Sequence, residues 1–195
     1  MTAEPPLRAS AETARAGLVD AWLIGVAGVG AVSASLVVAP GWPGVLGAVL
    51  AVLTIAIAVV DRRRLIIPDQ LNGLAFMAGA IAVCLRPSEG DDIAHALLRA
   101  ALMFGLFFAF RASYRALRGR EGMGLGDVKL AAVAGIWLNW TDLPIAVEIA
   151  ALSALASVLL GRASGKHWSL TERLPFGLFF APAVWICWLL AEWRG

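Results

Sequence analysis

The sequence predicts an all-α protein that crosses a bilayer several times. Three observations carry this. Hydrophobic residues make up 60% of the 195 positions and charged residues only 15%, whereas a water-soluble domain carries about a quarter charged residues. Apolar runs of bilayer length follow one another along the chain. The connections between them alternate between strongly basic and nearly neutral, as the two sides of a membrane require.

Seven apolar segments account for the pattern. The first, residues 18–39, follows Arg8 and Arg15. Its Ala31-Val32-Ser33-Ala34 stretch resembles the small-residue end of a signal peptide, but the run is long for a signal core and follows a mixed-charge tail, so it is expected to be retained. The second, residues 44–60, starts after the Pro40-Gly41-Trp42-Pro43 turn and ends at Asp61 and Arg62 to Arg64. The third, residues 69–85, opens after Pro68, and Asp69 there is suited to capping amides and complementing the helix dipole. The fourth, residues 93–110, follows a loop with one arginine and three acids and runs into Arg111, Arg115, Arg118 and Arg120. The fifth, residues 127–140, is short: about 14 residues at about 1.5 Å each reach about 21 Å, against a hydrocarbon core of about 30 Å. The sixth, residues 145–160, leads to Arg162, Lys166 and Arg173, and the seventh occupies residues 174–193.

Twelve of the sixteen basic residues thereby fall on one side. The positive-inside asymmetry places the amino terminus in the cytoplasm and the carboxyl terminus outside, with Trp42, Trp137, Trp140 and Trp193 at the outer ends as an interfacial belt. A net charge of +2 does not argue for nucleic acid. Cys84 and Cys187 lie inside apolar runs as buried small hydrophobes. No His or Cys spacing suggests a metal site, and no cofactor is expected.

Topology then decides which acids can meet. Asp61 closes the second segment and Asp127 opens the fifth, both on the basic side. Asp91, Asp92 and Asp142 belong to the other side, and Glu148 reads as a snorkelling or packing residue of the sixth segment. An ionisable group entering hydrocarbon is costly unless paired or hydrated, which makes Asp127 a functional candidate. It follows Gly122, Gly124 and Gly126 in the string Gly122-Met-Gly-Leu-Gly-Asp-Val-Lys-Leu130. These glycines suit close backbone approach and positive φ angles in an entrance lying below the membrane surface.

Two carboxylates converging in a wet pocket can hydrolyse a peptide bond. An ionised one removes a proton from water while its protonated partner polarises the scissile carbonyl, and the pair titrates as a unit. Asp127, at a helix amino terminus, is expected to hold negative charge more readily than Asp61 at a carboxyl terminus.

The run Asp61-Arg-Arg-Arg-Leu-Ile-Ile-Pro68-Asp69-Gln-Leu71, the glycine string, and the run Leu174-Pro-Phe-Gly-Leu-Phe-Phe-Ala-Pro182 together resemble the prepilin peptidases, the type IV leader peptidases of GxGD type. The resemblance implies that Asp61 and Asp127 are the catalytic pair. Gly124, Gly126, Lys129, Pro68, Asp69, Pro175 and Gly177 would shape the site. It implies a six-helix peptidase domain, residues 44–195, preceded by a cytoplasmic tail and an added helix in residues 1–43. The substrate would be a prepilin or pseudopilin precursor, and the location the bacterial inner membrane. Longer members carry a cytoplasmic insert with two cysteine pairs and methylate the new terminus. This chain lacks that insert and is similar to the short form associated with Flp or Tad-type pili. Presenilin and signal peptide peptidase share the GxGD idea, but Val60 rather than tyrosine precedes Asp61, and Pro175-Phe-Gly takes the later place. A small transporter or pilus-assembly subunit using its acids for ion passage is the alternative of a different class. It finds little support, since the chain has no internal repeat and its acids sit at one face.

Overall fold

The computed structural model describes residues 6–86, 93–119, 122–164 and 175–195, with side chains from residue 21 onward. These residues form seven α-helices and no strand: α1 (Pro6–Val38), α2 (Trp42–Arg64), α3 (Asp69–Leu85), α4 (Ile93–Arg118), α5 (Leu125–Trp137), α6 (Asp142–Ala163) and α7 (Phe176–Arg194). Five of them, α1, α2, α4, α6 and α7, are long and apolar enough to cross a membrane. The chain is a polytopic membrane protein.

The helices outlast the apolar runs that signal them. Arg111, Arg115 and Arg118 extend α4 by two turns, because arginine, alanine and leucine are good helix formers and bilayer length does not limit a helix that leaves the bilayer. At the start of α2, Pro43 occupies the first turn, where its missing N–H costs nothing. The α2 helix stops at Leu65, which takes a left-handed conformation (φ 54°) and donates its N–H to the Asp61 carbonyl at 2.8 Å. Four residues then suffice to reach α3.

The centre of the bundle is α5, packed against α3, α4 and α7. Val128, Leu130, Ala131, Val133, Ala134, Gly135 and Ile136 are all buried. A helix apolar on every face belongs in an interior, and this one has no need of bilayer length because other helices surround it. The α4–α5 approach is close: a Cβ on Gly135 would lie 2.5 Å from the Ala100 Cα. The buried Arg99 side chain donates from Nε to the Gly135 carbonyl at 3.3 Å, near the carboxyl end of α5. The first helix packs on α2 and α7. There the buried Ser35 hydroxyl accepts a hydrogen bond from Trp185 Nε1 at 3.0 Å.

Two ion pairs mark the end of the bundle where α3 and α7 finish and α6 begins. Arg194 Nη2 meets Asp142 Oδ1 at 2.7 Å, and Arg86 pairs with Glu192. Asp142 thus belongs to the first turn of α6, buried, rather than to an open loop. Trp42, Trp140 and Trp193 are exposed at this end as expected. Trp137 is not a belt residue: its Nε1 donates to the Ala75 carbonyl at 2.8 Å and its ring meets Trp188 edge-on, joining α5 to α3 and α7. Cys187 is buried, but Cys84 is exposed on α3, because apolar surface facing lipid stays outside a membrane protein's core. Glu148 is likewise exposed, on α6. Arg120, Lys166, Arg173, Asp91, Asp92 and Leu174 lie outside the described residues.

Candidate active site

At the opposite end of the bundle, four helix termini meet: the end of α2 and the starts of α3, α5 and α7. Asp61, in the last turn of α2, is only 4% exposed. Its Oδ2 accepts the N–H of Leu178 at 3.1 Å, in the first turn of α7, next to Gly177. Asp127 is the third residue of α5, and its Oδ2 accepts the N–H of Gly124, the residue that caps the helix, at 3.1 Å. The aspartates are close enough to interact electrostatically.

Both carboxylates therefore sit on helix amino termini, Asp127 on its own helix and Asp61 on α7. The asymmetry expected from sequence, with Asp61 left at an unfavourable carboxyl terminus, is offset by the tertiary fold, because α7 offers Asp61 the same partial positive charge. The proline before α7 has a part in this. Pro175 caps the helix in an extended conformation (φ −69°, ψ 93°), so the first N–H groups of α7 are free to point at Asp61.

Ile67 joins the two halves. It is buried, and it fills the space that side chains at two glycines would need. A Cβ on Gly126 would approach Ile67 Cβ to 2.8 Å, and one on Gly177 would approach Ile67 Cδ1 to 2.6 Å and Asp61 Oδ2 to 2.9 Å. The glycines beside each aspartate are there for space. None of Gly122, Gly124 and Gly126 takes a positive φ; the glycines that do are Gly41 and Gly119 among the described residues. Nor is the entrance enclosed: Gly122 and Gly124 are exposed, and Asp127 is part-buried behind them. The glycine loop is held from α4, where Arg111 Nε donates to the Met123 carbonyl at 3.0 Å.

The remaining residues singled out from sequence converge on the same end. Pro68 caps α3 (φ −63°, ψ 135°). Asp69, in the first turn of α3, lies 2.7 Å from Lys129 Nζ, so the two site residues from different motifs are partners of each other across α3 and α5. The pair is well exposed, at 68% and 41% for the two side chains.

Sequence reasoning passed over Asn72 and Ile67. Asn72 is 4% exposed on α3, and its Nδ2 donates to the Gly126 carbonyl at 3.1 Å. A polar side chain at the buried position of an apolar helix was the available signal. Among the described residues no cluster of His, Cys, Asp or Glu could hold a metal ion.

The described residues form a helical membrane bundle with two buried or part-buried aspartates gathered at one end, each on a helix amino terminus. The family follows from comparison: the chain belongs to the type IV leader peptidase family, whose model matches residues 48–160. It is 32% identical to a prepilin leader peptidase/N-methyltransferase of Aeromonas hydrophila, over 83% of this chain and 54% of that protein. It is 35% identical to leader peptidase HopD of Escherichia coli, over 70% of this chain and 86% of that protein. The chain spans about half the length of the Aeromonas proteins it matches. No solved structure gives a significant match.

Proposed function

We propose that this protein is a membrane-embedded aspartic endopeptidase that removes the leader from type IV prepilins of the Flp-like kind. The observation that carries the reading is the convergence of Asp61 and Asp127, from segments 66 positions apart by residue number, at one end of an apolar bundle. Family membership and the names of the relatives support leader cleavage. HopD carries the peptidase name alone, and it is the relative whose length this chain spans more fully. We accordingly assign leader cleavage.

In the proposed reaction an ionised aspartate takes a proton from water as the water oxygen bonds to the scissile carbonyl carbon. The neutral aspartate donates its hydrogen bond to the carbonyl oxygen. Transfer of that proton to the oxygen gives a gem-diol; its collapse breaks the C–N bond, the leaving nitrogen takes the proton that the first aspartate removed from water, a gem-diol hydroxyl returns its proton to the second aspartate, and the leader departs with a new carboxyl group. Backbone N–H groups of Leu178 and Gly124 fix one oxygen of each aspartate. Such pre-set geometry is worth several kcal/mol of barrier.

The bilayer is the second partner. The last turns of α2, α4 and α6 place Arg62, Arg63, Arg64, Arg115, Arg118 and Arg162 at the same end as the aspartates, whereas the other end carries the Arg86–Glu192 and Arg194–Asp142 pairs. This supports cleavage at the cytoplasmic face of the bacterial inner membrane, with the carboxyl terminus outside. Residues 44–195 form the peptidase unit in this reading, and α1 is an accessory helix.

Co-expression with Flp-like prepilins, followed by amino-terminal sequencing of the product, tests the assignment. Cleavage before the apolar segment by the wild type, absent with Asp61→Asn and Asp127→Asn, is the expected result. Intact precursor with the wild type across such substrates, together with measurable ion flux, would instead favour a transporter.

A further inference from the structure

Among the described residues, the buried side-chain polar atoms that lack a hydrogen-bond partner are Asn72 Oδ1 and Asp127 Oδ1. They belong to neighbours: Asn72 Nδ2 is bonded to the carbonyl of Gly126, the residue before Asp127. The orientation of the Asn72 amide is fixed by that bond, since turning it over would set its oxygen against the carbonyl oxygen. Both unpaired atoms are acceptors, so neither can satisfy the other without a hydrogen between them. A buried polar atom left without a partner costs about 1–3 kcal/mol, and each of the two calls for a donor.

We propose that Asn72 is a positioning residue of the site: its Nδ2 locks the first turn of α5, and its Oδ1 shares with Asp127 Oδ1 one bound water, which is thereby held against the carboxylate that activates it. The catalytic use of that water rests on the peptidase reading above; its location does not. The position suits the task. Asn72 lies one turn into α3, on the interior face with Ala75, Ala78 and Gly79. Asp69, on the same helix, is engaged with Lys129, leaving Asn72 to meet α5 at Gly126. A water needs two to four polar partners to be retained in an apolar interior, and the two unpaired oxygens supply two.

The test uses the full-length protein with Asn72→Leu, which keeps the side-chain shape and removes both polar atoms, beside the wild type and Asp127→Asn. Two readouts are taken: steady-state cleavage of a precursor, and the infrared stretch of the Asp127 carboxyl group, identified as the band missing from Asp127→Asn. The expected result is a kcat reduced about 10- to 100-fold with KM within about twofold of wild type, and a displaced Asp127 band in a protein that melts within a few degrees of wild type. Wild-type kcat, or a fall in activity accompanied by a lower melting temperature with the Asp127 band unmoved, would overturn the proposal. If the wild type cuts no precursor, the peptidase reading fails by itself. The infrared band then still decides where Asn72 and its water stand: displaced, it supports the placement; unmoved, it refutes it.

Discussion

Asp61 Oδ2 accepts the main-chain N–H of Leu178 at 3.1 Å, across 117 residues of sequence. The bond ties the last turn of α2 to the first turn of α7, and it fixes one oxygen of the carboxylate while the fold leaves room for it only because Gly177 has no side chain.

Gly177→Ala is therefore expected to abolish most leader cleavage without unfolding the protein. The added Cβ would stand 2.9 Å from Asp61 Oδ2 and 2.6 Å from Ile67 Cδ1, and Asp61 must turn away. A displacement of about 1 Å in a reacting group costs about 100-fold in rate. Cleavage assays beside thermal unfolding of the detergent-solubilised protein check this. An active Gly177→Ala enzyme would show that the Asp61–α7 contact does not set the geometry.

The Arg194–Asp142 and Lys129–Asp69 ion pairs differ in burial, and their energetic weight should differ with it. Asp142 is 6% exposed opposite Arg194, so Arg194→Met leaves a buried carboxylate without its partner and is expected to cost on the order of 2–3 kcal/mol. Asp69 is largely exposed and Lys129 partly so, and Lys129→Met should cost under about 1 kcal/mol. Unfolding measurements on the two variants check the ranking. Arg194→Met, at the end away from the aspartates, should leave cleavage per folded molecule unchanged.

Ser35→Ala should lower stability by about 1 kcal/mol, the worth of a buried hydrogen bond lost from Trp185 Nε1, with cleavage unaltered. The same separation predicts that a chain lacking residues 1–40 still cleaves, at reduced stability. Loss of cleavage in that shortened protein, if it remains folded, would place α1 within the peptidase unit.

Much of this was legible in sequence, for identifiable reasons. Apolar run length located the seven helices of the described residues, and proline or glycine marked the starts of α2, α3, α5 and α7. Charge alternation brought Asp61, Asp127 and the Pro175 motif to one end, because a bilayer reduces topology to a choice between two sides. Contacts between helices were beyond that kind of reading. Nothing local announces that Asp61 is served by α7, that Lys129 is the partner of Asp69, or that Trp137 turns inward to Ala75. Those depend on rotation of each helix about its axis, which a lipid-facing surface as apolar as the core does not encode. Cys84 was misjudged for the same reason.

Single-turnover cleavage of a synthetic precursor by the purified, reconstituted protein tests the central claim most directly, comparing wild type with Asp61→Asn, Asp127→Asn and the double variant. If the aspartates act as one unit, each single variant loses at least about a thousandfold and the double variant loses no more than either, the non-additivity expected of groups that serve a single step. A single variant that folds, inserts and cleaves within about tenfold of wild type would contradict the account.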